Sequence, residues 1–84
     1  MRNHIAVYLN HFGYYDQSEI VCECCGKPAV DIHHIDARGM GGSNDADKIT
    51  NLMALCRECH DKYGDVRHMK QYLRECHKKA LSHL

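Results

Sequence analysis

Two cysteine pairs carry the strongest chemical signal in this chain of 84 residues. Each is a C-x-x-C pair, which can present two thiolates to one tetrahedral ion over a short stretch of backbone. We therefore predict a structural zinc ion bound by Cys22, Cys25, Cys56 and Cys59. Cys24 stays open as a substitute for Cys22, and a set of buried free thiols is the alternative. A site closed by four thiolates has no open coordination position, so any reaction must use other residues.

Three of the eight histidines stand where they can take part in a reaction. His33 and His34 are adjacent in an alternating segment, so a regular strand would point them to opposite sides, and we expect the strand to end or distort there. His60 directly follows the second cysteine pair, and on a helix it can turn away from the zinc because successive side chains diverge by about 100°. Solvent-facing or packing roles are predicted for the remaining histidines, which are His4, His11, His68, His77 and His83.

The hydrophobic pattern predicts the elements that position these side chains. A helix over residues 3–12 is followed by two strands over 29–35 and 49–55. A long polar, glycine-rich loop over 36–48 joins the strands into a hairpin. The paired histidines therefore lie at the end of the first strand.

Two further segments complete the predicted fold. A short helix or turn covers 56–64, and an amphipathic helix with a core-facing apolar stripe covers 65–82. The order predicts one small α+β domain over residues 1–84, with its core at 22–64. Such a short chain buries too small a core to be more than marginally stable, which favours a domain stabilised by a bound metal ion.

The charges balance overall, with 11 basic and 11 acidic residues, so the net charge makes no case for a polyanionic partner. The segment from residue 62 onward nevertheless carries +4 and the preceding segment −4. Four basic residues recur at helical spacing, which fits either a DNA-backbone contact or a solvated face; they are Arg67, Lys70, Arg74 and Lys78. Arg38, beside the glycine-rich segment 39–45, is a weaker candidate for contacting phosphate.

The expected compartment follows from what the sequence lacks. The N-terminal residues carry no export signal, and no apolar run is long enough to span a bilayer. We therefore expect a cytoplasmic protein whose cysteines are metal ligands rather than disulfides.

Taken together, the segments CECCG, DIHHI and ITNLMALCRECH resemble the HNH nuclease family and its ββα-metal (His-Me finger) fold. The resemblance covers residues 22–60. It implies that His33 and His60 bind one divalent ion and that His34 is the general base. It also implies that Asn51 steadies the hairpin loop and helps to orient the base. Some relatives have a further histidine where this chain has Gly64, so water and phosphate are expected to complete the ion's shell.

The same resemblance implies a metal-dependent endonuclease that nicks or cuts DNA, leaving 5′-phosphate and 3′-hydroxyl ends. Imidazole ligands favour Mn²⁺, Ni²⁺ or Zn²⁺, whereas open water positions suit Mg²⁺. Family members of this size are often phage-encoded, so the expected partners are DNA and a phage DNA-packaging protein, with the chain acting as a monomer or homodimer. The alternatives are a closed Cys/His zinc module that binds nucleic acid without cleaving it, and an adaptor that docks on another protein.

Overall fold

The computed structural model describes residues 3–36 and 47–82. It is the predicted small α+β fold, in which an antiparallel hairpin is followed by a helix. The elements are α1 (Asn3–Phe12), β1 (Asp31–His34), β2 (Leu52–Leu55), α2 (Arg57–Cys59, continued by a π-helical turn His60–Gly64) and α3 (Lys70–Ser82). Arg38, the segment 39–45 and His83 lie outside the described residues. Within those residues, no helix has the length and apolar character to cross a membrane.

α1 covers the residues that the hydrophobic pattern predicts. Tyr8 and Leu9 are buried against the sheet, and Ile5 and Phe12 pack beside them. The helix ends before Gly13, whose φ of +75° is the left-handed conformation common after a helix C-terminus.

β2 begins at Leu52, later than the predicted start at residue 49. Ile49–Asn51 forms a 3₁₀ turn instead. The side chain of Asn51 crosses to the residue two positions after the end of β1, where Oδ1 accepts a hydrogen bond from the Asp36 amide (2.8 Å) and Nδ2 donates one to the Asp36 carbonyl (3.1 Å). The backbone amide of Ile35 also donates to the Asn51 carbonyl (2.9 Å), so the two segments stay hydrogen-bonded where the chain turns.

β1 is also shorter than predicted, covering Asp31–His34 rather than 29–35. The amide of Ala29 donates to the carbonyl of Ile20 (3.0 Å), so this part of the chain pairs with the segment before the first cysteine pair. The strand ends directly after the two histidines, which is one of the two expected outcomes. It pairs regularly through both of them, so no distortion aims the two side chains at one point.

The sheet directs the adjacent histidines to opposite sides. β2 is buried on both faces, with Leu52 in the core cluster beneath α1 and Met53 in the cluster that includes α3. His34 pairs with Leu52 and His33 with Met53. Since paired residues share a face, His34 faces α1 and His33 faces the side of α2 and α3.

α3 differs from the predicted helix in its start and in its inner face. The α-helix begins at Lys70, after a 3₁₀ turn Arg67–Met69, rather than at residue 65. Leu73 is buried as predicted, but Tyr72 of the predicted apolar stripe is 42% exposed. His77 takes an inner position instead, at 2% exposure.

Glu23 explains why a histidine lies inside the fold. Its carboxylate is buried and accepts hydrogen bonds from the Tyr8 hydroxyl, the Ala54 amide (3.1 Å) and Nδ1 of His77 (2.7 Å). Nε2 of His77 donates to the carbonyl of Ile49 (2.6 Å). A buried carboxylate needs such partners, and this one ties α1, β2 and α3 to the first cysteine pair.

Candidate active site

The four cysteines of the two C-x-x-C pairs meet at one place. Their sulfur atoms all lie within 4.8 Å of one another, and Sγ of Cys25 is 3.5 Å from Sγ of Cys56. Tetrahedral zinc with Zn–S bonds of about 2.3 Å separates its sulfurs by about 3.8 Å. Cys22, Cys25, Cys56 and Cys59 therefore have the chemistry and the spacing to hold a zinc ion.

Local backbone geometry brings each pair together. In the first pair the chain reverses at Gly26, whose φ is +81° and whose amide donates to the Cys22 carbonyl (2.9 Å). In the second, Cys56 precedes α2 and its sulfur accepts the Cys59 amide (3.5 Å). This amide lowers the pKa of Cys56 to about 7, which favours the thiolate that zinc binds.

Cys24 lies apart from these four sulfurs. It packs with Cys76 against the core, and burial, followed by the neighbouring Cys76, raises the pKa of its thiol. The geometry therefore favours Cys22 over Cys24 as the ligand of the first pair. Cys76 is a partly buried packing residue on α3.

A second group of side chains that could hold a metal ion joins β1 to the π-helical turn after α2. Donor atoms of Asp31, His33 and His60 all lie within 4.8 Å of one another. The rings of His33 and His60 are 5.0 Å apart and nearly perpendicular, and Nε2 of His60 is 3.5 Å from Oδ2 of Asp31. Asp31 was not among the predicted ligands. The signal that could have identified it is its place two residues before His33, on the same side of the strand.

His33 has the environment of a metal ligand. It is 6% exposed, and its buried Nε2 has no hydrogen-bond partner among residues 3–36 and 47–82. Burial, and then the nearby His60, lowers its pKa. The neutral imidazole that results is the form that binds metal, so an ion beside Asp31 and His60 would satisfy a polar atom that is otherwise costly to bury.

His34 faces the other way and contacts different residues. Its Nε2 lies 2.8 Å from Oδ1 of Asp47, with side-chain exposures of 17% and 14%. The ring of His4, from α1, lies 4.8 Å from the ring of His34. Asp47 was not among the predicted residues, because no spacing rule links it to a histidine thirteen residues earlier in the chain.

A cleft of about 300 Å³ opens beside His34. Its lining combines the end of β1 with the end of the π-helical turn and the segment after it, which brings one acidic and two basic residues. The lining residues are His34, Ile35, Gly64, Asp65, Arg67 and Lys70. Gly64 also packs against the ring of His60. The cleft therefore adjoins the group formed by Asp31, His33 and His60, although His33 and His34 point to opposite faces of β1.

Two residues of the predicted basic stripe form ion pairs with an acidic side chain. Lys70 (3.4 Å) and Arg74 both pair with Asp36, and the hydrogen bond from Arg74 holds the pKa of that carboxyl below its usual range. Arg67 and Lys70 line the cleft, whereas Lys78 is exposed elsewhere on α3. The structure thus brings two of the four predicted basic residues to His34.

Comparison with known proteins gives a family match over the same part of the chain. A family model described as HNH endonuclease matches residues 22–66, more than half of the chain. An uncharacterized protein of Escherichia coli (strain K12), YdfU, is 39% identical over 54 residues. That match covers 51% of this chain but 16% of the relative, so the chain spans a small part of that protein's length. No solved structure matches the chain.

Proposed function

Because this chain belongs to the HNH endonuclease family, whose members use a divalent metal to cleave DNA, we propose that it hydrolyses DNA phosphodiester bonds in the cleft beside His34. The observation that carries the proposal is that His34 lines the same cleft as two basic side chains. Arg67 and Lys70 can hold a phosphate there while the imidazole faces an attacking water. The family implies 5′-phosphate and 3′-hydroxyl products.

Asp47 determines which nitrogen of His34 acts. When Nε2–H donates to the Asp47 carboxylate, the lone pair of the neutral ring lies on Nδ1. Nδ1 can then take a proton from water, and the carboxylate stabilises the imidazolium that forms, as in other histidine–carboxylate pairs. Asp47 is therefore a positioning residue, and His34 is the catalytic base.

Asp31, His33 and His60 would hold the catalytic ion. When bound, a divalent cation stabilises the charge that grows on the phosphate and on the departing oxygen. Two imidazoles and one carboxylate favour Mn²⁺, Ni²⁺ or Zn²⁺ over Mg²⁺. Two histidines and a carboxylate leave positions for water and phosphate, as the site requires.

In this proposal the two cysteine pairs bind a structural zinc ion, and Asn51 fixes the chain just after β1 by binding the backbone of Asp36. DNA is the proposed substrate. One copy has one cleft and nicks one strand, so a double-strand cut needs two copies acting together. A role beside phage DNA-packaging proteins, as family members of this size suggest, remains part of the proposal.

The test is nicking of supercoiled plasmid in Mn²⁺, Ni²⁺, Zn²⁺ or Mg²⁺. His34→Ala should lower the nicking rate by about 10²- to 10⁴-fold, the usual loss on removing a general base. Its circular dichroism and bound zinc should match the parent. His11→Ala, which removes an exposed histidine of α1, is the matched control and should cut normally.

Two results would contradict the proposal. Nicking by His34→Ala at the parent rate would show that His34 is not the general base. No nicking by the parent with any of the four ions would favour the alternative of a zinc module that binds nucleic acid without cleaving it.

A further inference from the structure

A third group of metal-binding side chains lies on the α1 side of the hairpin. Donor atoms of His4, His34 and Asp47 all lie within 4.8 Å of one another. His4 is 6% exposed, and His34 and Asp47 are mostly buried. The three residues come from α1, the end of β1 and the segment before the 3₁₀ turn, so the tertiary fold alone brings them together.

We propose that His4, His34 and Asp47 form an inhibitory site for a transition-metal ion such as Zn²⁺, separate from the catalytic ion and from the cysteine zinc. This inference rests on the proposed function of His34 as the general base. An ion bound here coordinates the imidazole of His34, which is the general base. Excess zinc would therefore inhibit the nuclease.

The geometry suits an ion with small adjustments. Two imidazoles and a carboxylate are among the three-residue ligand sets that bind zinc, with water in the fourth position. Tetrahedral zinc with bonds of about 2.0–2.1 Å separates its ligand atoms by about 3.3 Å. Nε2 of His34 and Oδ1 of Asp47 are now 2.8 Å apart, so they must separate slightly. The rings of His4 and His34 are tilted by 50° rather than stacked flat, which lets one nitrogen of each approach a common point.

Inhibition follows from the two nitrogens of one imidazole. A metal bond at Nε2 of His34 needs the lone pair there, so the proton that Nε2 donated to Asp47 has to leave that atom. The ring stays neutral when this proton is on Nδ1. Nδ1 is then a donor and cannot accept a proton from water. The exchange moves one proton within the ring and leaves the net charge of the imidazole unchanged.

The identity of the ion decides whether the site fills. Zinc and nickel bind imidazole strongly, whereas Mg²⁺ prefers oxygen ligands and keeps most of its water. We therefore expect nicking in saturating Mg²⁺ or Mn²⁺ to fall when zinc is added, and added Mg²⁺ to have no such effect.

Zinc binding measures the proposed site without any need for activity. The experiment uses the full chain with its cysteine zinc in place and with His60→Gln, which removes a ligand of the competing group. Zn²⁺ alone is titrated by equilibrium dialysis, and about one further ion per chain should bind. Adding His4→Gln should weaken this binding at least about tenfold, whereas His11→Gln should leave it unchanged.

A spectroscopic signal and a second variant complete the test. In ¹⁵N NMR of the native chain, zinc should move the His34 proton from Nε2 to Nδ1. Asp47→Asn removes the carboxylate ligand and replaces His4→Gln if that variant does not fold. In nicking assays, added zinc should slow the parent at least about tenfold. The same zinc should leave the rate of His4→Gln nearly unchanged, or that of Asp47→Asn where His4→Gln does not fold.

The outcomes separate this inference from the proposed function. Equal zinc affinity in the parent and in both ligand variants would overturn the site and would leave His4 as a packing residue. Zinc binding that depends on His4 in a protein that never nicks DNA would support the metal site and contradict the role of His34. Zinc inhibition that persists in the ligand variants would assign it to another site and overturn the inference.

Discussion

The imidazole of His60 lies where a side chain at Gly64 would begin. A Cβ atom built at Gly64 would be 3.0 Å from Cδ2 of His60 and 3.2 Å from Cγ and Nε2, closer than ordinary van der Waals contact. Both residues belong to one π-helical turn, a distortion that is frequent at functional sites. Glycine at this position therefore lets His60 approach Asp31 and His33. A histidine here, as in some relatives, would require His60 to move.

Gly64→Ala should weaken the proposed catalytic metal site. The added methyl group must push the His60 ring by a few tenths of an ångström, and changing a residue that positions a metal ligand typically costs about 10- to 100-fold in metal affinity. We expect Mn²⁺ affinity, measured by calorimetry, to fall by at least about tenfold. Alanine is about 1 kcal/mol better than glycine inside a helix, so the fold should persist. Unchanged zinc in the cysteine site is the internal control, and parental Mn²⁺ affinity would show that His60 does not bind the ion.

The cysteine site should be required for folding. Cys56→Ser removes one of the four sulfurs, and small zinc domains unfold when their structural metal is lost. We expect loss of helical circular dichroism and of the zinc that survives mild chelation. Cys76→Ser makes the same substitution at a cysteine outside the site and should keep both. A folded, zinc-free Cys56→Ser protein would contradict the structural role of the metal.

His77 should make stability depend on pH. Burial alone would lower its pKa, but the hydrogen bond and charge of Glu23, with the Ile49 carbonyl, raise it above the usual value. A raised pKa in the folded state stabilises the protein fully below the unfolded value of about 6.5. This contribution declines as pH rises from there and is lost above the folded pKa. His77→Gln should therefore cost about 3 kcal/mol at pH 6 and less at pH 9.

Urea denaturation at several pH values measures this effect as the difference between the parent and the variant. The difference matters because the zinc thiolates also titrate and lose zinc in acid. His11→Gln, at an exposed position of α1, should follow the parent at every pH. A parent–variant difference that is constant from pH 6 to pH 9 would show that His77 is not charged in the fold.

Arg67 should contribute to DNA binding as a phosphate contact. It lines the cleft with His34, and each neutralised phosphate adds about −0.9 to the slope of log affinity against log salt. In a His34→Ala background, Arg67→Ala should therefore make the slope less steep by about 0.9. Fluorescence anisotropy with a labelled duplex gives the slope, and Arg57→Ala, at an exposed position of α2, is the matched control. An identical slope for the two variants would remove Arg67 from the binding surface.

The family and the fold class were predicted from short segments of sequence, and both are confirmed. C-x-x-C spacing is a local property, because ligands with two residues between them meet wherever the chain turns, as it does at Gly26. The boundaries of the strands were less predictable. β2 starts late because Ile49–Asn51 forms a 3₁₀ turn, and the Asn51 side chain there binds Asp36, a contact that depends on both strands being in place.

The inner face of α3 was also only partly predictable from the sequence. Its stripe of apolar residues predicted an inner position for Tyr72. The helix buries His77 instead, because His77 bonds the buried carboxylate of Glu23, which lies within the first cysteine pair. Periodicity cannot show that a buried acid needs a partner 54 residues away. Tertiary contacts override the helical pattern at that position.

By itself, the sequence determined the chemistry that this protein can use: the thiols of the two pairs, adjacent imidazoles, and the helical and strand periods that carry them. Only the tertiary structure decided which groups meet. It placed His60 beside Asp31 and His33, and it placed Asp47 and His4 beside His34. The physical reason is that side-chain alternation on β1 is local and therefore readable, whereas donor atoms from segments far apart in the chain meet only when the sheet has packed between α1 and the later helices.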